Sequence, residues 1–299
     1  MGSITFVIDE SGAKGYSDKR EQHEGEFGVV AGILIPEEHL SVVESDLNFI
    51  ANKYESEGKL HITDLESNDQ ECLRGEIFDY LLSKHIRWTY EAMYVEGLHN
   101  QARIAATMVK TAKENHRSNV NISCNEKRDL LHAEIFTGVF GKGVAFCLDN
   151  VSHQFHLNVI TDNIDKSILR KFKEGAQQLL NVGKKNTCKV TGFDHDSQSV
   201  VTGSVSFEIT QGRDVLGDFS GVLYDINVSE SVLTLAADVL VNSVHHHLAS
   251  LQESNPGCAL NTKEAIEGHR LAQIVYGVSE VDLDVLQISD TIFRYPSRL

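Results

Sequence analysis

Residues 3–12, Ser-Ile-Thr-Phe-Val-Ile-Asp-Glu-Ser-Gly, decide the fold. The five residues Ile4–Ile8 are all β-branched or aromatic, which predicts a buried strand, Ser3–Asp9, that ends in an acid. A second apolar run, Phe27–Pro36, follows after a polar, glycine-containing loop. Two strands joined by one loop are most simply antiparallel neighbours. The sequence therefore predicts a hairpin whose first strand delivers a carboxylate.

Beyond this hairpin, the spacing of apolar residues predicts both strands and helices. Strands are predicted at Ile86–Val95, Gln154–Asp162, Asn186–Phe193, Ser204–Ile209 and Gly221–Val228, and helices at Glu37–Tyr54, Gln70–Lys84, Lys166–Asn181, Ser229–Leu251 and Lys263–Val278. Elements mixed in this order indicate an α/β or α+β fold. The chain has three prolines and no linker-like stretch. We therefore expect a single domain over residues 1–299, with a helical insertion around residues 97–151.

Composition restricts the class of protein. Hydrophobic residues make up 41% of the chain and charged residues 23%, as in ordinary folded proteins. The five cysteines form no CxxC pair, which argues against a zinc ribbon and favours free thiols in a reducing, cytoplasmic compartment. The formal net charge of −16 works against non-specific nucleic-acid binding. A nucleic-acid substrate would therefore require a local basic surface.

Three aspartates stand where function is expected. Asp9 and Asp162 each follow a predicted buried strand, and functional groups gather at such strand ends in open α/β sheets. Asp238 lies inside an apolar helix, where a carboxylate is costly to bury unless it is paired, hydrogen-bonded or bound to metal. Carboxylates brought together repel one another, and Mg²⁺ or Mn²⁺ relieves that repulsion with oxygen ligands. Two such ions support phosphodiester cleavage.

Simpler explanations exist for two of these acids. Asp9, followed by Ser11 and Gly12, could be a turn residue, and Asp162 could cap the helix that follows it. Neither explanation applies to Asp238, because capping does not account for an acid in the middle of a helix. Together the three aspartates favour a metal site.

The opening Phe6–Gly12 and its following strand resemble the domain-of-unknown-function family 3800, which has an RNase H-like fold. Two later segments fit the same resemblance: Lys59-Leu60-His61 with Asp64, and Ser229-Glu230 through Ala236-Ala237-Asp238-Val239-Leu240. The resemblance implies an RNase H-like mixed sheet flanked by helices, with acids supplied by the first strand, the fourth strand and a late helix. It thereby assigns Asp9, Asp162 and Asp238 to the centre and suggests a role for His61. The usual glutamate on the first helix could be replaced by Glu10 or Glu44.

Helical spacing puts Asn242, His245 and His246 on the same face as Asp238. Asn242 could hold a metal-bound water, and a histidine could shuttle a proton. The alternative is that His245-His246-His247 is simply a solvated helix end.

A basic segment follows Asp162. Lys166, Arg170 and Lys173 share one helical face, and Lys184 and Lys185 come shortly after it. This is the local positive surface that a phosphate backbone needs. The alternative is an ordinary solvated helix face.

These patterns favour a nuclease dependent on Mg²⁺ or Mn²⁺, acting on DNA or RNA through Asp9, Glu10, Asp162, Asp238 and His61. One alternative is a non-catalytic binding or regulatory module that recognises a partner protein or nucleic acid. Another is an actin-like small-molecule kinase, since Asp9–Gly15 faintly resembles a phosphate loop, but Thr161–Ile164 lacks the second glycine-rich loop. A homodimer is compatible with the sequence.

Overall fold

The computed structural model describes residues 2–54, 60–116, 120–122, 130–180, 186–194, 197–207, 221–277, 290 and 295. Its framework is a five-stranded mixed sheet in the order β3-β2-β1-β5-β8. The five strands are β1 (Gly2–Gly12), β2 (Phe27–Pro36), β3 (Arg87–Tyr94), β5 (Phe155–Thr161) and β8 (Val222–Val228). The α/β class and mixed sheet predicted from the sequence are confirmed.

Strand direction changes at the centre of this sheet. β1 pairs with β2 and β2 with β3 in antiparallel fashion, as the opening hairpin predicts. On its other edge β1 pairs with β5 in parallel, and β5 pairs in parallel with β8. The C-terminal ends of β1, β5 and β8 therefore meet at one end of the sheet, which we call the acid end.

Helices cover both faces of the sheet. The first face is packed by α1 (Glu37–Ala51), α2 (Ser67–Ser83) and α6 (Val232–Ser254), and the second by α4 (Leu131–Asn150) and α5 (Lys166–Leu180). Alternation along β1 connects the two cores, since Val7 packs into the first and Phe6 and Ile8 into the second. A fully buried side chain of this size stabilises the fold by about 1.5–3 kcal/mol. The central strand β1 therefore packs against the helices on both faces of the sheet.

The stretch predicted as a helical insertion contains α3 (Val95–His116), the short strand β4 (Val120–Ile122) and α4. β4 pairs with β6 (Asn186–Asp194), which pairs with β7 (Ser199–Phe207), to give a three-stranded antiparallel sheet. By length and composition α4 could cross a membrane, but 72% of its apolar window is buried. Its apolar surface is accounted for by packing on the central sheet.

Two boundaries differ from expectation near the acids. β1 continues through Asp9 to Gly12, because residues 9–12 remain paired with β2. α6 continues to Ser254 rather than ending near Leu251. Asp9 is thus a strand residue and not a turn residue.

The predicted helix Lys263–Val278 is wrong over most of its length. The helix α7 covers only Lys263–Ile266, and a 3₁₀ turn follows at Ala272–Ile274. The chain here follows the edge of β3 instead: the Trp88 indole Nε1 donates to the Leu271 carbonyl at 2.9 Å, and the Tyr276 amide donates to the Trp88 carbonyl at 2.7 Å. A continuous helix could not make these edge contacts.

Polar side chains complete this edge cover. The Asn261 side chain accepts from the Ala92 amide at 2.7 Å and donates to the Ala92 carbonyl at 3.0 Å, in place of a neighbouring strand. The Tyr90 hydroxyl donates to the Leu260 carbonyl at 2.8 Å. We call residues 258–276, which make these contacts, the edge clasp.

Candidate acidic site

Asp9 and Asp162 are neighbours because of the strand register. β1 and β5 run parallel with Ile8 opposite Thr161, so one further step on each strand brings Asp9 beside Asp162. Strands in this arrangement lie about 4.8 Å apart. Asp162 is not the cap of α5, because the Asp165 carbonyl accepts the first helical bonds, from the Ile168 and Leu169 amides. The capping explanation for Asp162 is therefore wrong.

Asp238 approaches from α6. This helix packs on the first face of the sheet, the face to which Val7 points, and alternation directs Asp9 to the same side. Leu235, Ala236, Ala237, Val239 and Leu240 around Asp238 are all buried. Packing of these residues is what holds Asp238 at the sheet, and the side chain of Asp238 itself is 19% exposed.

The pKa of Asp9 reflects both its burial and its acidic neighbours. Burial, the largest cause, and the negative charges of Glu10, Asp238 and Asp162 together raise the pKa of Asp9 from its ordinary 3.8 to about 8. The Glu10 amide, which donates to Asp9 Oδ1 at 2.9 Å, opposes this shift only in part. Burial also raises the pKa of Glu10, with Lys14 lowering it and Asp162 raising it. The structure thus places Asp9, Asp162 and Asp238 on the first face at the acid end, whereas alternation along β1 directs Glu10, paired with Val30, to the second face.

The fourth carboxylate can now be compared between its two candidates. Glu10 follows Asp9 directly and its charge acts on Asp9. Glu44 lies exposed on α1 and is not among the groups that shift the pKa of Asp9. The electrostatics of Asp9 therefore favour Glu10 over Glu44 as the fourth acid.

His61 lies at the same site, through Asp238. The chain enters a 3₁₀ turn, Ile62–Asp64, just after His61, and the Ile62 amide donates to Asp238 Oδ2 at 3.1 Å. His61 Nδ1 is 3.6 Å from the same oxygen. The imidazole is 41% exposed, so it can meet both the acid and a molecule from solvent. Asp64 is exposed at the far end of the turn.

The histidines of α6 are not a solvated helix end, and that expectation is wrong. His245 is partly buried, with its ring 5.0 Å from that of Phe27, and burial lowers its pKa. His247 shares a 2.9 Å hydrogen bond with the Ala265 carbonyl. Only His246 is exposed. The helix continues for two more turns, which explains why these side chains meet neighbouring elements.

One neighbour of the site, Arg74, gave no signal in the sequence. Arg74 on α2 donates through Nη2 to Asn242 Oδ1 at 3.2 Å, one turn beyond Asp238, so Asn242 is already engaged. Gly12, with φ of 84°, lies against His245, whose Nε2 would stand 2.8 Å from an added Cβ. A left-handed glycine is recognisable in a sequence as a turn signal, but its histidine neighbour is not.

The carboxylates at the acid end have the chemistry of metal ligands but not the arrangement of a complete metal site. The donors are carboxylate oxygens, the ligands that Mg²⁺ and Mn²⁺ prefer. Within the part of the chain that the structure describes, however, no three His, Cys, Asp or Glu side chains stand close enough together to hold one ion. The chemistry of the donors fits a divalent cation, but their positions do not form a finished ligand set.

The basic face predicted on α5 is exposed. Lys166, Arg170 and Lys173 all point to solvent, while Phe172 and Ala176 on the opposite side are buried. Arg170 Nε lies 3.7 Å from Glu174 Oε1, one turn along the helix. Lys184 and Lys185 lie outside the described residues. The helix begins four residues after Asp162, so its positive face starts next to the acid end.

Comparison with solved structures gives matches, one of which is described here. The chain is similar to a solved structure described as the crystal structure of Bst-RNase HIII in complex with Mn²⁺, with 11% sequence identity and a TM-score of 0.34. The match covers 91% of this chain and 64% of that one, so this chain spans less than two thirds of its length. No protein-family model matches the sequence, and the resemblance to family 3800 is not supported by one. No curated protein matches either.

Proposed function

We propose that this protein is a nuclease that depends on divalent metal ions. The observation that supports it is the approach of Asp9, Asp162 and Asp238 at the acid end, where burial and the charges of Glu10, Asp238 and Asp162 raise the pKa of Asp9 to about 8. Bringing these negative charges close together on folding costs free energy, and no packing role of the side chains accounts for that cost. A bound divalent cation would offset the repulsion between the carboxylates, which would then serve as its ligands.

Asp9, Asp162 and Asp238 would hold the metal, and Glu10 would complete the acidic set. When bound, divalent ions at such a site activate a water molecule and stabilise the departing oxygen of a phosphodiester. His61, 3.6 Å from Asp238 and partly exposed, is placed to pass a proton to the leaving group or to orient Asp238. The Ile62 amide donates a hydrogen bond to Asp238 and so keeps that side chain directed toward the acid end of the sheet.

The substrate would be DNA or RNA, bound along α5. The chain carries a formal charge of −16, so a phosphate backbone must approach through a local positive surface. Lys166, Arg170 and Lys173 provide one, and it begins four residues from Asp162.

The decisive experiment measures cleavage of labelled DNA and RNA in Mn²⁺ or Mg²⁺ by the wild type and by Asp9→Asn and Asp238→Asn. Metal ions at such sites lower the activation barrier by several kcal/mol. Each variant should therefore lose at least ~10²-fold in rate while remaining folded. Asp79→Asn, at an exposed surface pair with Arg270, is the matched control and should cut normally. If both site variants cut as fast as this control, the nuclease proposal is wrong.

A second candidate is a non-catalytic module that keeps the fold and binds nucleic acid or a partner protein. It is favoured by the lack, among the described residues, of three side chains already placed to hold one ion. Titration with Mn²⁺ separates the two. An active site should raise the melting temperature at millimolar Mn²⁺ or below, through mass action on the folded state, whereas a non-catalytic module should not respond.

A further inference from the structure

We propose that a cleft at the other end of the central sheet binds a small aromatic anion. The cleft has a volume of about 460 Å³ and lies where β2 ends, β3 begins and α1 starts. Ligand pockets typically measure 300–1,000 Å³. Because Pro36 is paired with Ile4 and Ala31 with Asp9, the cleft is five residues, or roughly 17 Å, from the acids. It is thus a separate site.

The walls of the cleft come from both layers of the protein. Leu34 and Phe146 belong to the second core, and Val43 and Ile86 belong to the first. The cleft therefore crosses the end of the sheet between α1 and α4. Tyr80, partly buried, adds a second aromatic ring to the lining. Apolar and aromatic walls of this kind favour a ligand with a flat apolar body.

The opening of the cleft is positively charged. The basic side chains of Lys84 and Arg87 lie there, and His39 and His85 can donate hydrogen bonds. Lys84 is partly neutralised by Asp46, 3.8 Å away. Arg87 is exposed and makes no ion pair with the described residues. In a chain with a net charge of −16, this grouping favours an anionic end on the ligand, which Arg87 can grip with two parallel N–H donors.

The backbone at the cleft is strained, which is an independent observation. His85 has φ of 52°, directly after the end of α2. The His85 amide donates to the Leu82 carbonyl and the Ile86 amide to the Leu81 carbonyl, which is the Schellman ending that normally uses glycine. A histidine here costs stability. Sequences depart from local conformational preferences most often at functional sites. An imidazole at the cleft opening, where it can meet a ligand, would account for a histidine at this left-handed position.

The ligand class is an aromatic ring system with one anionic group, which a nucleoside monophosphate or an aromatic carboxylate could supply. The first test uses 8-anilinonaphthalene-1-sulfonate, a fluorescent aromatic anion, with the folded full-length protein. Saturable binding at one site is expected. Arg87→Gln should weaken it at least tenfold, while Arg103→Gln, which removes an exposed charge from α3 near the acid end, should leave it unchanged. Equal binding by all three proteins would overturn the proposal.

Competition identifies the anion. Displacement of the dye by adenosine monophosphate but not by anthranilate would assign a phosphate ligand, and the reverse would assign a carboxylate. Displacement by neither compound would also overturn the proposal.

A second variant tests the strained residue. Because glycine adopts the left-handed conformation without steric cost, His85→Gly should raise the melting temperature and at the same time weaken dye binding. A variant that is more stable and binds as tightly as the wild type would show that His85 has no part in the cleft. Loss of binding in this variant cannot be blamed on unfolding, since the protein is expected to become more stable.

Discussion

The two ends of the central sheet depart from ordinary protein design in different ways. At the acid end, burial and three neighbouring negative charges raise the pKa of Asp9 to about 8. At the cleft end the cost is in the backbone, where His85 occupies a conformation that glycine adopts more easily. Between them, Phe6, Val7 and Ile8 are simply apolar and buried. Both of these departures lie where side chains can meet a ligand.

The largest effect is expected on the rate of cleavage when Glu10, the fourth carboxylate, is replaced. Its measurement would sharpen the comparison between the two ends of the sheet. If the acid end works as one electrostatic unit, Glu10→Gln should lower metal-dependent cleavage by ~10²-fold or more, since groups at such a centre contribute several kcal/mol. Glu44→Gln is the matched control, because Glu44 is exposed on α1. Initial rates at saturating Mn²⁺ measure both. A loss in Glu44→Gln with none in Glu10→Gln would reverse the assignment.

The next effect concerns stability without metal. The folded-state pKa of Asp9 lies above its ordinary value of 3.8, at about 8, so the folded protein keeps a proton that the unfolded chain releases. The contribution of Asp9 to stability is therefore fully present below about pH 4 and is lost as the pH rises toward 8. Asp9→Asn removes this loss and should stabilise the metal-free protein at pH 8, by on the order of 3 kcal/mol.

Urea denaturation at pH 4 and pH 8, in the presence of a chelator, measures this difference. The two proteins should agree at pH 4 and separate at pH 8, and added Mn²⁺ should stabilise only the wild type. A destabilised Asp9→Asn protein at pH 8 would mean that Asp9 is held by favourable partners, and the contrast between the two ends would break.

The smallest effect is expected from the basic face of α5. Replacing Lys166, Arg170 and Lys173 by glutamine should weaken binding of labelled single-stranded DNA or RNA. The plot of log affinity against log salt should flatten by about 1 for each side chain that contacts a phosphate. Binding is best measured in the Asp238→Asn background, where cleavage is expected to be absent. Glutamine at Lys53, Arg103 and Arg270 removes the same charge elsewhere, and an equal loss there would show only a general charge effect.

The strand frame could be predicted because its signals are local. Ile4–Ile8, Phe27–Pro36 and Phe155–Thr161 are apolar runs with clear limits, and each forms a strand. Asp238 stood out because an acid among buried alanines, leucines and valines has few structural explanations. The parallel register that brings Asp162 beside Asp9 followed from the expected fold rather than from either segment alone.

Other features depend on contacts between distant segments and have no local signal. The choice between Glu10 and Glu44 needed the positions of Asp9 and Asp162, and the bond from Arg74 to Asn242 joins residues 168 positions apart. The region after Lys263 has helical spacing, yet its polar and backbone groups satisfy the edge of β3. Tertiary hydrogen bonds there outweigh a helix propensity that amounts to less than 1 kcal/mol per residue.

The edge clasp also affects the order of events during synthesis. It joins Tyr90 to Leu260, 170 positions later, and Trp88 to Leu271, 183 positions later. At translation rates of about 5–20 residues per second, β3 emerges roughly 10–35 seconds before its cover exists. Throughout that interval the nascent chain presents an unpaired strand edge that carries a large indole, and such edges attract other strands.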